Sequence, residues 1–151
     1  MLPTAHVASA LLAQRVLPVE PDREAAIAGA LLPDVIDKTL AWVLKVAPSG
    51  RHIGHTPIAA LLISAGASAV FGRKRGVALG SAYAVHLVGD LWKGGHVPWL
   101  MPLRKYNLRG QAWRADLSVQ TLLLEAAGAA VVVWLLRPGE ANDLSATPRP
   151  G

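Results

Sequence analysis

The 151-residue chain has no cysteine. Disulfides, thiolate metal sites and cysteine nucleophiles are therefore excluded, and any metal must be held by nitrogen and oxygen. Charge is scarce: 17% of the residues are charged, against about a quarter in an average soluble domain. Aromatic residues make up only 5%, so the 52% hydrophobic content is carried mainly by Ala, Leu and Val. That mixture suits closely packed helices better than sheets, which favour β-branched and aromatic side chains. No basic residue precedes the first apolar run; the first is Arg15. A secretory signal has its positive charge ahead of the apolar stretch, so none is read here and the first helix is expected to be retained. Neither an internal repeat nor strand-period alternation stands out.

The chain that remains is small, apolar and basic. Its length is that of one domain. A net charge of +5 suits contact with anionic lipid or with nucleic acid. Thr4 is placed to cap a first helix running to about Val16, ended by Pro18 and Pro21. A second helix begins after Asp22; Pro33 is expected to interrupt it, and the helical pattern resumes to Ala47-Pro48. A third starts at Pro57, within the stretch 52–72 that has no charged residue. The basic turn Arg73-Lys74-Arg75 separates it from a fourth helix, Gly76 to about Trp92, and a Gly/Pro loop follows. A last helix is expected from Asp116 to Leu136, and the tail 137–151 reads as disordered. The fold class is thus all-α, a compact bundle of about five helices in one domain over residues 1–136. The stretches 53–72 and 117–136 have the length of membrane spans, so one or more helices are expected to be embedded in or to cross a membrane. Trp42, Trp92 and Trp134 read as packing or interface residues, and the small residues of ISAGASAVFG as a close helix contact.

The His and Asp residues carry the chemistry. His86 and Asp90 are four apart, which on a helix places both on one face a turn apart. Asp34 and Asp37 are three apart just after Pro33, His52 and His55 are three apart before the third helix, and His6 lies in the first turn of the first. A lone His or Asp is commonly a cap or a hydrogen-bonded core group. Several of them on helices of Ala, Leu, Val and Gly are costly unless they share partners, which points to one common site. Mixed imidazole and carboxylate donors suit Zn²⁺, and also Mn²⁺ or Fe²⁺. Six or so candidate ligands, with His6, Asp34, Asp37, His55, His86 and Asp90 as the metal set, exceed what one tetrahedral ion needs, so one or two ions are expected.

The order TAH, GALLPD, R-x-x-x-H-T, H-x-x-x-D and a Pro-Trp loop resembles the LexA-regulated, membrane-bound metal-dependent hydrolase family of small bacterial inner-membrane proteins. The resemblance runs over roughly residues 3 to 103. It implies metal-site roles for His6, Asp34, His55, His86 and Asp90, and puts Arg51 where the family tends to have an arginine. Pro98-Trp99 matches the loop after the H-x-x-x-D helix. The chain departs from the pattern in three places. Ile36 stands where the second aspartate is common, His52 follows rather than precedes the arginine, and Gly54 replaces a threonine. Asp37 and His52 are therefore second-rank candidates.

The leading functional expectation is a hydrolase of the cell membrane. A divalent ion, Zn²⁺ foremost, would activate water. Arg51 would steady an anionic oxygen, and His52 or Asp37 would move a proton. The expected partners are membrane lipid and a small anionic or ester substrate, a phosphoester or lipid-like molecule being the better fit to a basic membrane-facing protein. The alternative is a non-catalytic helical membrane protein whose His/Asp cluster is a structural metal site or a helix-locking polar network. Nucleic-acid binding through Arg73-Lys74-Arg75 and the series Arg104, Lys105, Arg109 and Arg114 ranks below both, because basic and Trp/Tyr residues flanking apolar helices anchor proteins at lipid interfaces. His96 reads as a surface residue or a mobile acid/base. Apolar helix surfaces could also face another copy of the chain.

Overall fold

The computed structural model describes residues 3–92, 97–107 and 118–137, and these contain five α-helices and no strand. They are α1 (Pro3–Val16), α2 (Arg23–Lys38), α3 (Pro57–Phe71), α4 (Arg73–Trp92) and α5 (Val119–Leu135). Each of three starts is set by a side-chain cap. Asp22 accepts the N–H of Ala25 at α2, Thr56 that of Ala59 at α3, and Ser118 that of Thr121 at α5. Pro57 sits in the first turn of α3, where its missing N–H costs nothing. The expected cap Asp116, His96 and the tail from residue 138 lie outside the described residues.

Two expected breaks are absent. Helix α2 runs straight through Pro33, which is buried within it, and a single π-helical turn at Thr39–Val43 follows. Packing supplies the compensation: α2 lies on α4 so closely that a Cβ on Gly29 would come within 2.2 Å of the Leu79 carbonyl oxygen. Arg73-Lys74-Arg75 is likewise not a turn but the opening of α4, and Gly72 (φ +90°) alone makes the corner after α3. Cations at a helix N-terminus oppose its dipole, and here acids offset them. Arg75 Nε lies 3.3 Å from Asp22 and its Nη2 3.6 Å from Glu24, while Lys74 is 3.5 Å from Glu20.

Helix α4 is the axis of the fold, packed against α1, α2 and α3, and α5 packs on α1. The apolar interior is made of small side chains: Ala10, Ala26, Ala30, Ala78 and Ala82 are all essentially inaccessible. The largest fully buried side chains are instead Tyr83, His6, His55 and His86. Leu11, Leu87 and Leu135 are buried, but most large apolar residues lie outside. Helix α3 has no buried residue and presents Leu61, Leu62, Val70 and Phe71, while α5 presents Val119, Leu123 and Val133. This inversion suits a hydrocarbon neighbour.

The expected membrane-spanning helices are not found among the described residues: none is long and apolar enough to cross a bilayer. The stretch 53–72 is shortened at its start, because Ile53–His55 forms a 3₁₀ turn and the helix begins only at Pro57. At 1.5 Å per residue the 15-residue α3 is about 22 Å long, against roughly 30 Å of hydrocarbon. The 17-residue α5 falls short for the same reason.

Candidate metal centre

The polar centre is assembled from four segments. Helix α1 brings His6, α2 brings Asp34 and Asp37, the 3₁₀ turn brings His55, and α4 brings His86 and Asp90. The helical spacings work as read from the sequence: His86 and Asp90 are stacked a turn apart, with His86 Nε2 3.8 Å from Asp90 Oδ2. His55 Nε2 lies 3.4 Å from His86 Nε2, 3.4 Å from Asp90 Oδ2 and 3.6 Å from Asp34 Oδ1. His6 Nε2 is 3.5 Å from Asp90 Oδ1, and its ring stacks on that of His86 with centroids 3.8 Å apart. Two overlapping donor groups result, His6/His86/Asp90 and Asp34/His55/His86.

The orientation of each ring is set from behind. His55 Nδ1 donates to Asp37 Oδ2 at 2.8 Å, and His86 Nδ1 donates to the Ala30 carbonyl at 2.6 Å. Both Nε2 atoms are thereby turned toward the same point. Such anchoring of the distal ring nitrogen is the usual way a metal-binding imidazole is held. His6 Nε2 is buried and makes no hydrogen bond among the described residues, with Asp90 Oδ1 in ion-pair range at 3.5 Å. A buried imidazole nitrogen left in this state is costly unless something fills the place in front of it. The donor set fits a cation. Bonds of about 2.1 Å in a tetrahedral site put ligand atoms about 3.4 Å apart, close to the separations found here. Nitrogen and oxygen donors together suit zinc, manganese or iron.

Asp37 stands one step behind that point. Its two oxygens accept the backbone N–H groups of His52, Gly54 and His55 as well as the His55 ring N–H. A Cβ on Gly54 would lie 2.9 Å from Asp37 Oδ1 and 2.9 Å from the Pro33 carbonyl, so the loop closes over Asp37 only with glycine there. The glycine that departs from the family pattern thus has a packing reason. His52 enters through its backbone N–H, and its half-buried ring is not among the converging donors. Arg51 is 33% exposed and forks onto Asp90, with Nε and Nη2 each 2.9 Å from a carboxylate oxygen.

Electrostatics follow from three carboxylates, Asp37 and Asp90 buried and Asp34 half-buried. Burial alone would raise the pKa of Asp90, but His55, His6 and the Arg51 charge hold it well below the ordinary carboxylate range. Asp34 is likewise depressed despite burial, by His55 and by Lys38, whose Nζ is 2.6 Å away. Burial disfavours a charge on His55 too, yet its bonds to Asp34, Asp37 and Asp90 raise its pKa to about 10. His86 is pushed down to about 3 by burial and by His6, which keeps it a neutral lone-pair donor. Without a metal, the His55 proton is the cation at the centre.

Two contributors were not singled out from the sequence. Tyr83, fully buried, donates its hydroxyl to the Gly54 carbonyl at 2.5 Å and braces the turn that carries His55. Its signal was a lone tyrosine three residues before His86 on an otherwise apolar helix. Lys38, a turn after Asp34, was legible as an i,i+4 pair.

No curated protein and no solved structure matches the chain. The family model described as YdjM inner membrane protein matches residues 1–143, nearly the whole length and all of the converging donors. The outward-facing apolar helices and the buried His/Asp centre therefore belong to a member of the YdjM inner membrane protein family.

Proposed function

We propose that this inner-membrane protein is a metal-dependent hydrolase, with His6, Asp34, His55, His86 and Asp90 holding one or two divalent ions, zinc first. The observation that carries this reading is the inward turn of the His55 and His86 Nε2 atoms, each anchored at Nδ1, beside the buried Nε2 of His6, which makes no hydrogen bond among the described residues. An ion bound there would lower the pKa of a water toward neutrality and polarise the bond to be broken. Arg51 forms the exposed edge of the centre and has N–H donors beyond the two it spends on Asp90, so it would hold an anionic oxygen of the substrate. Asp37, with both oxygens engaged, is a positioning residue for His55. That leaves His52, next to Arg51 and half-buried, as the side chain to accept a proton. The substrate class that fits a basic protein at an anionic membrane is an ester or phosphoester.

One observation favours the alternative of a structural polar network: Arg51, Lys38 and a protonated His55 already balance the three carboxylates. Elemental analysis of purified protein separates the two. Near-stoichiometric metal that falls sharply in His86→Gln and Asp90→Asn supports the hydrolase and justifies screening ester and phosphodiester substrates. No metal in the wild type, and none regained from Zn²⁺, Mn²⁺ or Fe²⁺, sinks it in favour of the network.

A further inference from the structure

Beside the polar centre runs an apolar cleft of about 320 Å³ between α3 and α4, with Trp99 also in its wall. On α4 it is lined by Gly80, Ala84, Leu87 and Val88, and on α3 by Pro57, Ala60, Leu61 and Ser64. Both sets follow the i, i+3/i+4, i+7 spacing of a single helical stripe, so the cleft follows the two helices for about 12 Å, eight residues at 1.5 Å each. Its volume lies in the range of small-ligand sites. Ser64, the one polar side chain in the wall, donates its hydroxyl to the Gly76 carbonyl. The wall therefore offers an occupant apolar contact rather than hydrogen bonds.

Resting on the hydrolase reading, we infer that this cleft holds one hydrocarbon chain of a membrane lipid, and that the substrate of the polar centre is the lipid's ester or phosphoester head. Three observations point to a hydrocarbon chain. The cleft is apolar, and the small side chains of Ala60 and Ala84 and the bare backbone of Gly80 leave room in it for an unbranched chain. It is continuous with the outer surface of α3, where Leu61 and Leu62 are 69% and 65% exposed, and the family is one of inner-membrane proteins. Its Pro57–Leu87 end adjoins the site, since Pro57 is two residues beyond His55 and Leu87 follows His86. A head group leaving that end meets Arg51 and the donor cluster, so the chain would fix which bond of a lipid is presented. Trp99, which the metal centre leaves unused, acquires a role in the cleft's wall.

The test uses full-length protein in vesicles of phosphatidylethanolamine and phosphatidylglycerol doped with a phosphatidylglycerol bearing a diazirine in one acyl chain. After irradiation, adducts are mapped by peptide mass spectrometry, and metal content is measured on the same samples. Adducts on 57–64 and 80–88 are expected in the wild type. They should fall at least fivefold in Ala84→Phe and Ala60→Phe, with metal content unchanged. Ala84 is exposed, so its variant fills the cleft without entering the interior. Absence of those adducts in the wild type, or equal labelling in both variants, overturns the inference; a chain-to-chain contact at the cleft would show as such an absence in a protein that sediments as a dimer. Labelling that disappears in the variants of a wild type without metal would keep the lipid cleft and remove the hydrolase.

Discussion

Asp37 accepts the Nδ1 proton of His55 at 2.8 Å, and this one bond decides which nitrogen of His55 faces Asp34, His86 and Asp90. Asp37→Asn keeps the shape but turns into an amide a carboxylate whose Oδ2 takes three donors and whose Oδ1 takes one. Metal affinity should weaken about 10- to 100-fold, the usual cost of losing such a support. Titration of purified protein with Zn²⁺ in competition with a chelating dye measures it. Unchanged affinity would mean that Asp37 serves folding alone.

Metal should also stabilise the fold, because its donors come from α1, α2, the 3₁₀ turn and α4. Ion held at a hundred times its Kd adds about 2.7 kcal/mol of unfolding free energy if the unfolded chain does not bind it. Chelation should therefore lower the denaturant midpoint, and readdition should restore it. His6→Gln should reduce both effects, since it withdraws a buried ring nitrogen that makes no hydrogen bond among the described residues. A midpoint indifferent to chelator would argue against a metal centre.

The pH dependence has a definite sign in metal-free protein. Burial opposes a charged His55, but the surrounding carboxylates hold its pKa up at about 10, above the 6.5 of a free imidazole. The folded state therefore binds a proton that the unfolded chain releases. This contribution is complete below pH 6.5 and is lost as the pH rises through 10. Asp34, Asp37 and Asp90 are depressed, so theirs is present above the ordinary carboxylate range and lost in acid. Denaturant unfolding with chelator should show stability falling between neutral and strongly alkaline pH, with a smaller fall in His55→Gln. Metal binding must displace the His55 proton, so proton release should accompany uptake at neutral pH.

Gly54 and Tyr83 test the frame without touching a converging donor. Gly54→Ala must move Asp37 or the Pro33 carbonyl, each 2.9 Å from the new Cβ, at a cost of about 1–3 kcal/mol. Tyr83→Phe strips the buried Gly54 carbonyl of its donor and costs about 1–3 kcal/mol. Thermal or denaturant melts check both; a Gly54→Ala protein as stable as wild type would mean that the turn is looser than its contacts imply.

Much of this arrangement was legible in the sequence because helical spacing is a local rule. The pairs His86/Asp90 and Asp34/Asp37 face the same way for that reason alone, and the caps at Asp22, Thr56 and the Pro57 start are equally local. What could not be read is what depends on neighbouring helices. Pro33 looks like a break until α4 closes on Gly29. Asp37 is indistinguishable from Asp34 by spacing, and only the folded 52–55 turn saturates one and leaves the other facing His55 Nε2. The span-length stretch 53–72 reads as one apolar run until its first residues are drawn inward by Asp37. Tyr83 was passed over because one tyrosine in an apolar helix is ordinarily packing.

An interior of alanines built around histidines has a consequence for how such a protein varies. In most enzymes the groups that hold the shape and those that do the work are different populations, and each can drift while the other is preserved. Here, after Tyr83, the bulkiest inaccessible side chains among the described residues are the candidate ligands His6, His55 and His86. Truncating one opens a void that small neighbours cannot fill, so loss of metal and loss of structure would arrive together. A metal-free but intact version of this chain is reached only by replacements of equal volume, and any lineage that gave up the proposed metal site would have to rebuild its centre at the same time.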